Sequence, residues 1–379
     1  MKNLYFVSAL LLGALLSCQN PQKEFEKEIE AYRASVRNPG LAVAVVKDGE
    51  IVYSAGFGSA SLEEDIPIDP ERSLFRIASI SKSFSATSMM QLIEAGKVSL
   101  DTDASQLAGF PLRNPLYPDV PITLEMLLSH TSSLNDSQGY FNFDSVNPAT
   151  NPDWAKCYNS YKPGTGYEYC NLNFNLAGSF IEKLSGERFD QYVVHHVLEP
   201  LGLYGGYCVD SLDASRFVKL YYYDEKEDCM KESVEAYAPR SERIAAYHFG
   251  YDTPVFSPTG GMKISACDLA RYMMMHMGWG TSPKGVTLIS EESSRSMQTP
   301  RSADENYGLA LRVRDDLIPG LTLVGHTGGA YGLRSAMFWS EDRSFGLVMI
   351  SSGSDKEDDD VPSQVIPTVL QLMYKYFCQ

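Results

Sequence analysis

The stretch "RIASISKSFSA", from Arg76 to Ala86, sets a lysine three residues after a serine, among small and apolar neighbours. On a helix, Ser79 and Lys82 would share one face, because residues i and i+3 are surface neighbours. A serine hydroxyl is a weak nucleophile until a base takes its proton. A partly desolvated lysine loses some preference for its charged form and can assist that transfer. The pair therefore suits acyl transfer. Taken alone, it equally suits a surface lysine that follows a turn of small residues.

Two later motifs favour the catalytic interpretation. A Tyr-x-Asn triplet runs from Tyr169 to Asn171, and a His-Thr-Gly triplet begins at His326. With S-x-x-K before them, the sequence resembles the serine β-lactamase and penicillin-binding superfamily, whose motifs are S-x-x-K, Y-x-N and K/H-T-G. It is most similar to the class C β-lactamases and the D-alanyl-D-alanine carboxypeptidases. The flanks "ITLEMLLSHTSSL", "PGTGYEYCN", "GGMKISACDLARY" and "GHTGGAYG" match too, over nearly the whole mature chain.

The resemblance implies a role for each motif residue. Ser79 would be the nucleophile, Lys82 its base, and Tyr169 a proton shuttle, acting as a phenolate or through Lys82. Asn171 would hold the amide side chain of a substrate. The remaining substrate-binding residues would line the cleft on one strand: His326, Thr327, Gly328 and Gly329. The N–H groups of Ser79 and Gly329 would form an oxyanion hole, which stabilises the charge of a tetrahedral intermediate.

The third motif departs from the lysine that dedicated β-lactamases of this family usually carry. His326 has a reference pKa of about 6.5 and is mostly neutral at neutral pH. The resemblance associates His-Thr-Gly with peptidases and esterases. Arg334, in "YGLRS", is a candidate for the missing positive charge, and a surface role is the alternative. Neither S-D-N nor E-x-x-L-N is found, which disfavours a class A β-lactamase.

Other candidate residues receive structural interpretations. A second Tyr-x-Asn, at Tyr140, lacks the Pro-Gly-Thr approach and is predicted to be a loop. His130 is expected to cap or orient a loop. The adjacent His195 and His196 lie in a helical pattern, where neighbours do not share a face. Without a metal-ligand spacing, no metal site is predicted, and no cofactor is expected.

The N-terminus predicts export. "MKNLYFVSALLLGALLSCQN" has an apolar run that is short for a bilayer span and typical of a signal peptide. Its end, "LLSC", resembles a bacterial lipoprotein box, so residues 1–18 are predicted to be a lipoprotein signal with lipid on Cys18. The protein would then face the periplasm, and touch the membrane through its lipid anchor only. The alternative is an ordinary cleaved signal with a chance cysteine.

Composition limits the partners. The net charge is -16 and no basic cluster occurs, so nucleic-acid binding is not expected. A hydrophobic share of 44% is typical of a globular core, and the expected partner is a small-molecule or peptide substrate. Six cysteines follow the leader, and a bridge from Cys208 to Cys229 is favoured by their nearness in sequence alone, since pairing cannot be deduced from spacing.

Strand patterns at both chain ends enclose a helical middle. Two β-branched runs flank Asp48-Gly49, a strong hairpin signal. Helices are predicted from Glu24 to Arg37 and from Arg76 to Ala95. We therefore predict an α+β fold, β-lactamase/transpeptidase-like by resemblance: an antiparallel sheet flanked by the terminal helices, with an inserted helical domain. The sheet domain would comprise 23–78 and 285–379, and the mainly helical domain 79–284.

The leading hypothesis is an exported serine hydrolase that acts through a Ser79 acyl-enzyme on an amide or ester bond, with D-Ala-type peptides as the expected substrate. A class C-like β-lactamase and then a small-ester esterase are the alternatives. A non-catalytic binding lipoprotein is a hypothesis of another class, disfavoured because all three motifs are present. A structural lipoprotein is a third, and nothing in the sequence requires it.

Overall fold

The computed structural model describes residues 20–302, 305–354 and 364–379. Cys18 and the leader, residues 1–18, lie outside these ranges, so the lipoprotein assignment stays a prediction. Within the described ranges, no helix has both the length and the apolar character that a membrane span requires.

The strands of the described residues form three sheets. In chain order they are β1 (Gly40–Lys47), β2 (Glu50–Gly58), β3 (Phe75–Arg76), β4 (Gly205–Gly206), β5 (Tyr221–Asp224), β6 (Cys229–Glu232), β7 (Lys263–Ile264), β8 (Arg312–Arg314), β9 (Leu323–Ala330), β10 (Leu333–Ser340) and β11 (Phe345–Ser351). The main sheet has the order β2-β1-β11-β10-β9-β8, and the smaller sheets are β3-β7-β4 and β5-β6. All neighbours in the main sheet pair antiparallel.

Helices occur before, between and after these strands. In chain order they are α1 (Pro21–Ser35), α2 (Ser81–Glu94), α3 (Ala104–Ala108), α4 (Leu124–Leu128), α5 (Asn171–Ser185), α6 (Phe189–Val193), α7 (Glu199–Leu201), α8 (Ser241–Ala245), α9 (Ala266–Met277), α10 (Glu291–Gln298) and α11 (Val365–Phe377). A mixed architecture, with an antiparallel sheet covered on one face by the terminal helices, confirms the predicted α+β class.

Strands β1 and β2 form the predicted hairpin. Asp48 and Gly49 have φ values of 50° and 77°, and positive φ at both central residues is what a tight type I′ turn requires. On its other side β1 pairs with β11, with Leu41 opposite Ser351. Strands from the two ends of the chain therefore lie side by side in the middle of the sheet.

Helices cover both faces of the main sheet. On one face α1 and α11 bring Phe25 and Val369 into a buried cluster with Val43, Phe338 and Leu347. The opposite face packs against α9, within a larger cluster that includes Val348 and continues into the helical region. Burying the sheet on both sides explains why its central strands are apolar on successive residues rather than on alternate ones.

Helix α2 begins later than the sequence predicts. Phe75 and Arg76 form β3, which pairs with β7, and Ala78–Ile80 form a 3-10 turn. Ala78 has a φ of 45°, which no right-handed helix contains. The prediction is wrong there because the pairing partner, β7, lies far along the chain, and helical periodicity carries no information about it.

The six cysteines of the described residues are free thiols. The expected bridge from Cys208 to Cys229 is therefore wrong. Cys208 directly precedes the 3-10 turn Val209–Ser211, whereas Cys229 begins β6 in a separate small sheet. Nearness in sequence does not supply the Cα and Cβ geometry that a disulfide needs.

Replacing Phe25 with alanine tests the docking of α1. Phe25 is fully buried, and its ring centroid lies 5.0 Å from that of Phe377 and 5.4 Å from that of Tyr53. We expect Phe25→Ala to lower the free energy of unfolding by about 3–5 kcal/mol, measured by urea denaturation. Val52→Ala, at a position 51% exposed, should change it by less than about 0.5 kcal/mol. Equal midpoints for the two variants would contradict the packing.

Candidate active site

The proposed nucleophile, Ser79, lies in the 3-10 turn directly before α2. The preceding Ala78 has positive φ, a strained conformation for a residue with a Cβ, which surrounding contacts must maintain. Ser335 of β10 donates from Oγ to the carbonyl of Ile77 at 2.9 Å. A Cβ on Gly328 of β9 would lie 2.3 Å from that same carbonyl oxygen. The two strands therefore set the position of the nucleophile.

Lys82 is fully buried within α2. Its Nζ lies 3.0 Å from Ser79 Oγ, 2.9 Å from Asn171 Oδ1 and 3.0 Å from the carbonyl oxygen of Thr259. Two of these partners can only accept a hydrogen bond, whereas the Ser79 hydroxyl can accept or donate. The structure thus brings the S-x-x-K and Y-x-N motifs into contact through one amine.

Burial lowers the pKa of Lys82 to about 7, while the charge of Asp136 acts in the opposite direction. Near neutral pH, a large share of Lys82 is therefore a neutral amine. Its two N–H groups are taken by Asn171 and Thr259, so its lone pair faces the Ser79 hydroxyl. This is the arrangement that a general base for a serine nucleophile needs.

Tyr169 lies beside this pair, with its ring centroid 4.7 Å from Lys82 Nζ. Burial raises its pKa above the usual value, and a hydrogen bond with Ser79 acts in the opposite direction. Tyr169 is accordingly a neutral phenol in the free protein. Of the two implied roles, this favours proton transfer together with Lys82 over a standing phenolate.

Asn171 is the first residue of α5, and Asp136 holds it there. The Oδ2 of Asp136 accepts from the backbone N–H of Asn171 at 2.8 Å and from its Nδ2 at 2.9 Å. Its Oδ1 accepts from the N–H of Leu172 at 3.0 Å and from Cys170 Sγ at 3.2 Å. A carboxylate from another loop therefore caps the helix, where free N–H groups favour negative charge. Sequence analysis missed Asp136.

His326 of β9 is buried, and burial lowers its pKa to about 3. Its Nε2 lies 3.1 Å from the hydroxyl of Tyr307, and its Nδ1 lies against the carbonyl of Thr327. A neutral ring with its proton on Nδ1 satisfies both contacts, since it donates to Thr327 and accepts from Tyr307. His326 therefore brings no positive charge to the site. Sequence analysis also missed Tyr307.

His130 lies beneath the tyrosine, with its ring centroid 4.3 Å from that of Tyr169. Its Nδ1 accepts from the N–H of Cys170 at 3.2 Å. Burial keeps its pKa well below the usual value. A neutral ring in this position orients the loop before α5, which agrees with the interpretation from sequence.

Beyond Gly325, the outer edge of β9 has no strand partner among the described residues. Strand β8 pairs with β9 only from Leu323 to Gly325. A two-residue turn closes the β9–β10 hairpin, with Ala330 opposite Leu333 and Gly329 opposite Arg334. In such a ladder, hydrogen-bonded and non-hydrogen-bonded pairs alternate, so the N–H of Gly329 points away from β10 to the free edge. That orientation suits the oxyanion-hole role that the resemblance implies.

The structure thus gathers Ser79, Lys82, Tyr169, Asn171 and His326 around one point. The other implied residues, Thr327, Gly328 and Gly329, follow on the same strand. Their roles in binding and catalysis stay predictions. Thr259, Asp136 and Tyr307 entered no motif, because each acquires its place through contacts between distant parts of the chain.

Two arginines lie near the open edge of β9. Arg334 packs over the strand, with Nη1 3.1 Å from where a Cβ on Gly329 would be. Arg312, at the start of β8, donates to Glu305 at 2.6 Å and has its guanidinium carbon 5.7 Å from the Tyr307 ring centroid. Sequence analysis considered Arg334 as a source of positive charge and overlooked Arg312.

Metal ligation finds no support in the described parts of the chain. They contain no group of three or more His, Cys, Asp or Glu side chains that could hold an ion. His195 and His196 both contact Glu187, at 3.1 Å and 2.7 Å.

Known proteins resemble this chain in sequence and in fold. A family model described as Beta-lactamase matches residues 25–366. Penicillin-binding protein 4 of Amycolatopsis lactamdurans is 28% identical over 282 residues, which cover 72% of this chain and 68% of that protein. A D-aminopeptidase of Gluconobacter oxydans is 29% identical over 190 residues, or 47% of this chain and 34% of that protein. The chain spans less than half the length of several such relatives.

Among solved structures, the octameric penicillin-binding protein homologue from Pyrococcus abyssi has the same fold. The TM-score is 0.74 at 26% sequence identity, and the match covers 93% of this chain and 77% of that one.

Gly328→Ala tests how closely β9 approaches the nucleophile. The added Cβ would lie 2.3 Å from the carbonyl oxygen of Ile77 and 2.4 Å from Ser335 Oγ, so the Ser79 turn must move. We expect turnover of an activated ester to fall about a hundredfold, since displacements near 1 Å cost that much. Gly206→Ala meets only ordinary contacts, at 3.7 Å and beyond, and should retain activity. A fully active Gly328→Ala variant would refute the close packing.

Proposed function

The chain belongs to the beta-lactamase family and is a serine hydrolase, and from that premise we propose that Ser79 forms an acyl-enzyme with peptides that end in a D-residue. The observation that carries the proposal is the buried amine of Lys82, 3.0 Å from the Ser79 hydroxyl. Its other two partners can only accept hydrogen bonds. The lone pair of the neutral amine is therefore available to accept the proton of the Ser79 hydroxyl.

Acylation follows from this arrangement. Ser79 Oγ attacks the carbonyl carbon while its proton passes to Lys82 Nζ. The N–H groups of Ser79 and Gly329 stabilise the oxyanion. As the C–N bond breaks, the proton goes from Lys82 to the leaving amine, by way of the Tyr169 hydroxyl. Water then attacks the ester carbonyl, and its proton passes by way of Tyr169 and Lys82 to Ser79 Oγ. The bond between the acyl carbon and Ser79 Oγ breaks, the acid leaves, and the serine hydroxyl is restored.

The charges near the site support a substrate with a free carboxylate. His326 is neutral, so the third motif supplies no cation. Arg312 is the candidate cation. One of its nitrogens pairs with Glu305, and its positive charge lowers the pKa of both Tyr169 and His326, on which burial has the largest effect. A guanidinium suits a carboxylate, because it presents several N–H donors in one plane. We therefore assign recognition of the terminal carboxylate to Arg312.

The names of the relatives agree with a D-residue substrate. One is a D-aminopeptidase and another a penicillin-binding protein. Hydrolysis of β-lactams, and then of small esters, are the alternatives, because both proceed through the same serine ester. Export through the leader, with lipid on Cys18, belongs to the same proposal.

Intact mass spectrometry tests the acyl-enzyme. After timed exposure to benzylpenicillin, or to an acylated D-alanyl-D-alanine peptide, we expect the mass of the acyl group on the unmodified protein and none on Ser79→Ala. A persistent penicillin adduct with slow release would favour a peptidase, and rapid consumption of the drug would favour a β-lactamase. Turnover by Ser79→Ala equal to that of the unmodified protein would contradict the proposal.

Arg312→Gln tests carboxylate recognition. We expect KM for a D-alanyl-D-alanine peptide with a free carboxylate to rise about tenfold or more, because a hydrogen bond to a charged group contributes about 1.5–3 kcal/mol. The amide-capped peptide should be affected much less, and Arg312→Lys should restore part of the preference. Arg295→Gln is the control, since Arg295 lies on α10 and pairs with Glu291. Equal losses for the two peptides would contradict the role of Arg312.

A further inference from the structure

Asp136 is linked to the proposed base by two hydrogen bonds in series. Its Oδ2 lies 2.9 Å from Asn171 Nδ2, and Asn171 Oδ1 lies 2.9 Å from Lys82 Nζ. An ionised carboxylate only accepts hydrogen bonds, so Asp136 requires the NH₂ side of the amide to face it. The Oδ1 atom of Asn171 must then face Lys82. Thr259 Oγ1 also donates to this oxygen, at 2.8 Å.

The opposite orientation of the Asn171 amide would disable the base. Its NH₂ group would then point at Lys82 and compete with the Ser79 hydroxyl for the amine lone pair. A protonated Lys82 would face a donor instead of an acceptor, which is unfavourable for two buried polar groups. Correct orientation of one amide therefore decides whether the lone pair is free for Ser79.

We propose that Asp136 is a positioning residue for this reaction, which orients Asn171 so that Lys82 directs its lone pair at Ser79, and whose negative charge sets the pH range in which Lys82 works. The inference rests on the proposed function, because it assigns Lys82 the role of base to Ser79. Asp136 itself need not touch the substrate.

The charge effect has a definite sign. Around Lys82, the charge of Asp136 favours the ammonium form, whereas burial raises the pKa of the Cys170 thiol well above its usual value and keeps it neutral. His130 and His326 are buried and neutral, and Tyr169 is a neutral phenol. Asp136 is thus the ionised carboxylate that opposes the burial of Lys82. Without its charge the pKa of Lys82 falls further, and the neutral amine persists to lower pH.

A purely structural role would give a different result. Asp136 caps α5 through the N–H groups of Asn171 and Leu172, so its loss also weakens the helix end. Weakened structure lowers activity at every pH without moving the ionisation of Lys82. The pH dependence of kcat/KM separates the two roles, because its acid limb reports the base of the free enzyme.

Asp136→Asn is the first variant, assayed from pH 5 to 9 with an activated ester or a D-peptide that the wild type cleaves. We expect the acid limb to move to lower pH by about one unit, with a lower maximum. Cys170→Ala is the matched control, since it removes a hydrogen bond to the same carboxylate and leaves the charge. Its acid limb should stay in place. An unmoved limb in Asp136→Asn, or one moved to higher pH, would overturn the inference.

Asp136→Glu covers the case in which Asp136→Asn does not fold. This variant keeps the charge and shifts the carboxylate, so we expect a lower maximum with an acid limb close to that of the wild type. Undiminished activity would refute the positioning role. A wild type that forms no adduct and cleaves none of these substrates refutes the proposed function, whereas a working wild type with an unmoved limb in Asp136→Asn refutes this inference alone.

Discussion

The desolvation of one lysine amine governs the chemistry of this site. An ammonium group removed from water is costly unless an opposite charge compensates it. The direct partners of Lys82 are a hydroxyl, an amide oxygen and a backbone carbonyl, all of them neutral. The carboxylate of Asp136 binds Asn171 rather than Lys82. Direct contact between the two charges would hold the lysine protonated, and separation by one amide leaves it able to work as a base.

The remainder of the fold excludes solvent from Lys82 and fixes the position of Ser79. Helix α2 places Lys82 in the core. Gly328 of β9 and Ser335 of β10 contact the turn that precedes α2. Positive φ at Ala78 is tolerated because these contacts hold the turn from outside. Catalytic groups positioned by packed strands and helices need little reorganisation during the reaction, which is where much of the rate enhancement of enzymes originates.

Sequence analysis succeeded where the signal was local. Asp48-Gly49 predicted a hairpin because only certain residues accept positive φ in succession, and the three motifs predicted which side chains would meet. It failed where tertiary contacts decide. The start of α2 depends on pairing between β3 and β7. Asp136 and Tyr307 could be recognised only from their contacts with Asn171 and His326, which lie far away in sequence. Arg312 could be recognised only once the structure placed its guanidinium near the Tyr307 ring. Nearness in sequence also misjudged Cys208 and Cys229.

The pairing of β1 with β11 joins the two ends of the chain in one sheet. Leu41 pairs with Ser351, so the main sheet can be completed only when almost the entire polypeptide is available, and pairings of such long range are slow to form. Until then Lys82 is an ordinary hydrated ammonium ion and Ser79 an ordinary alcohol. An incompletely synthesised chain therefore lacks the buried amine on which the proposed chemistry depends.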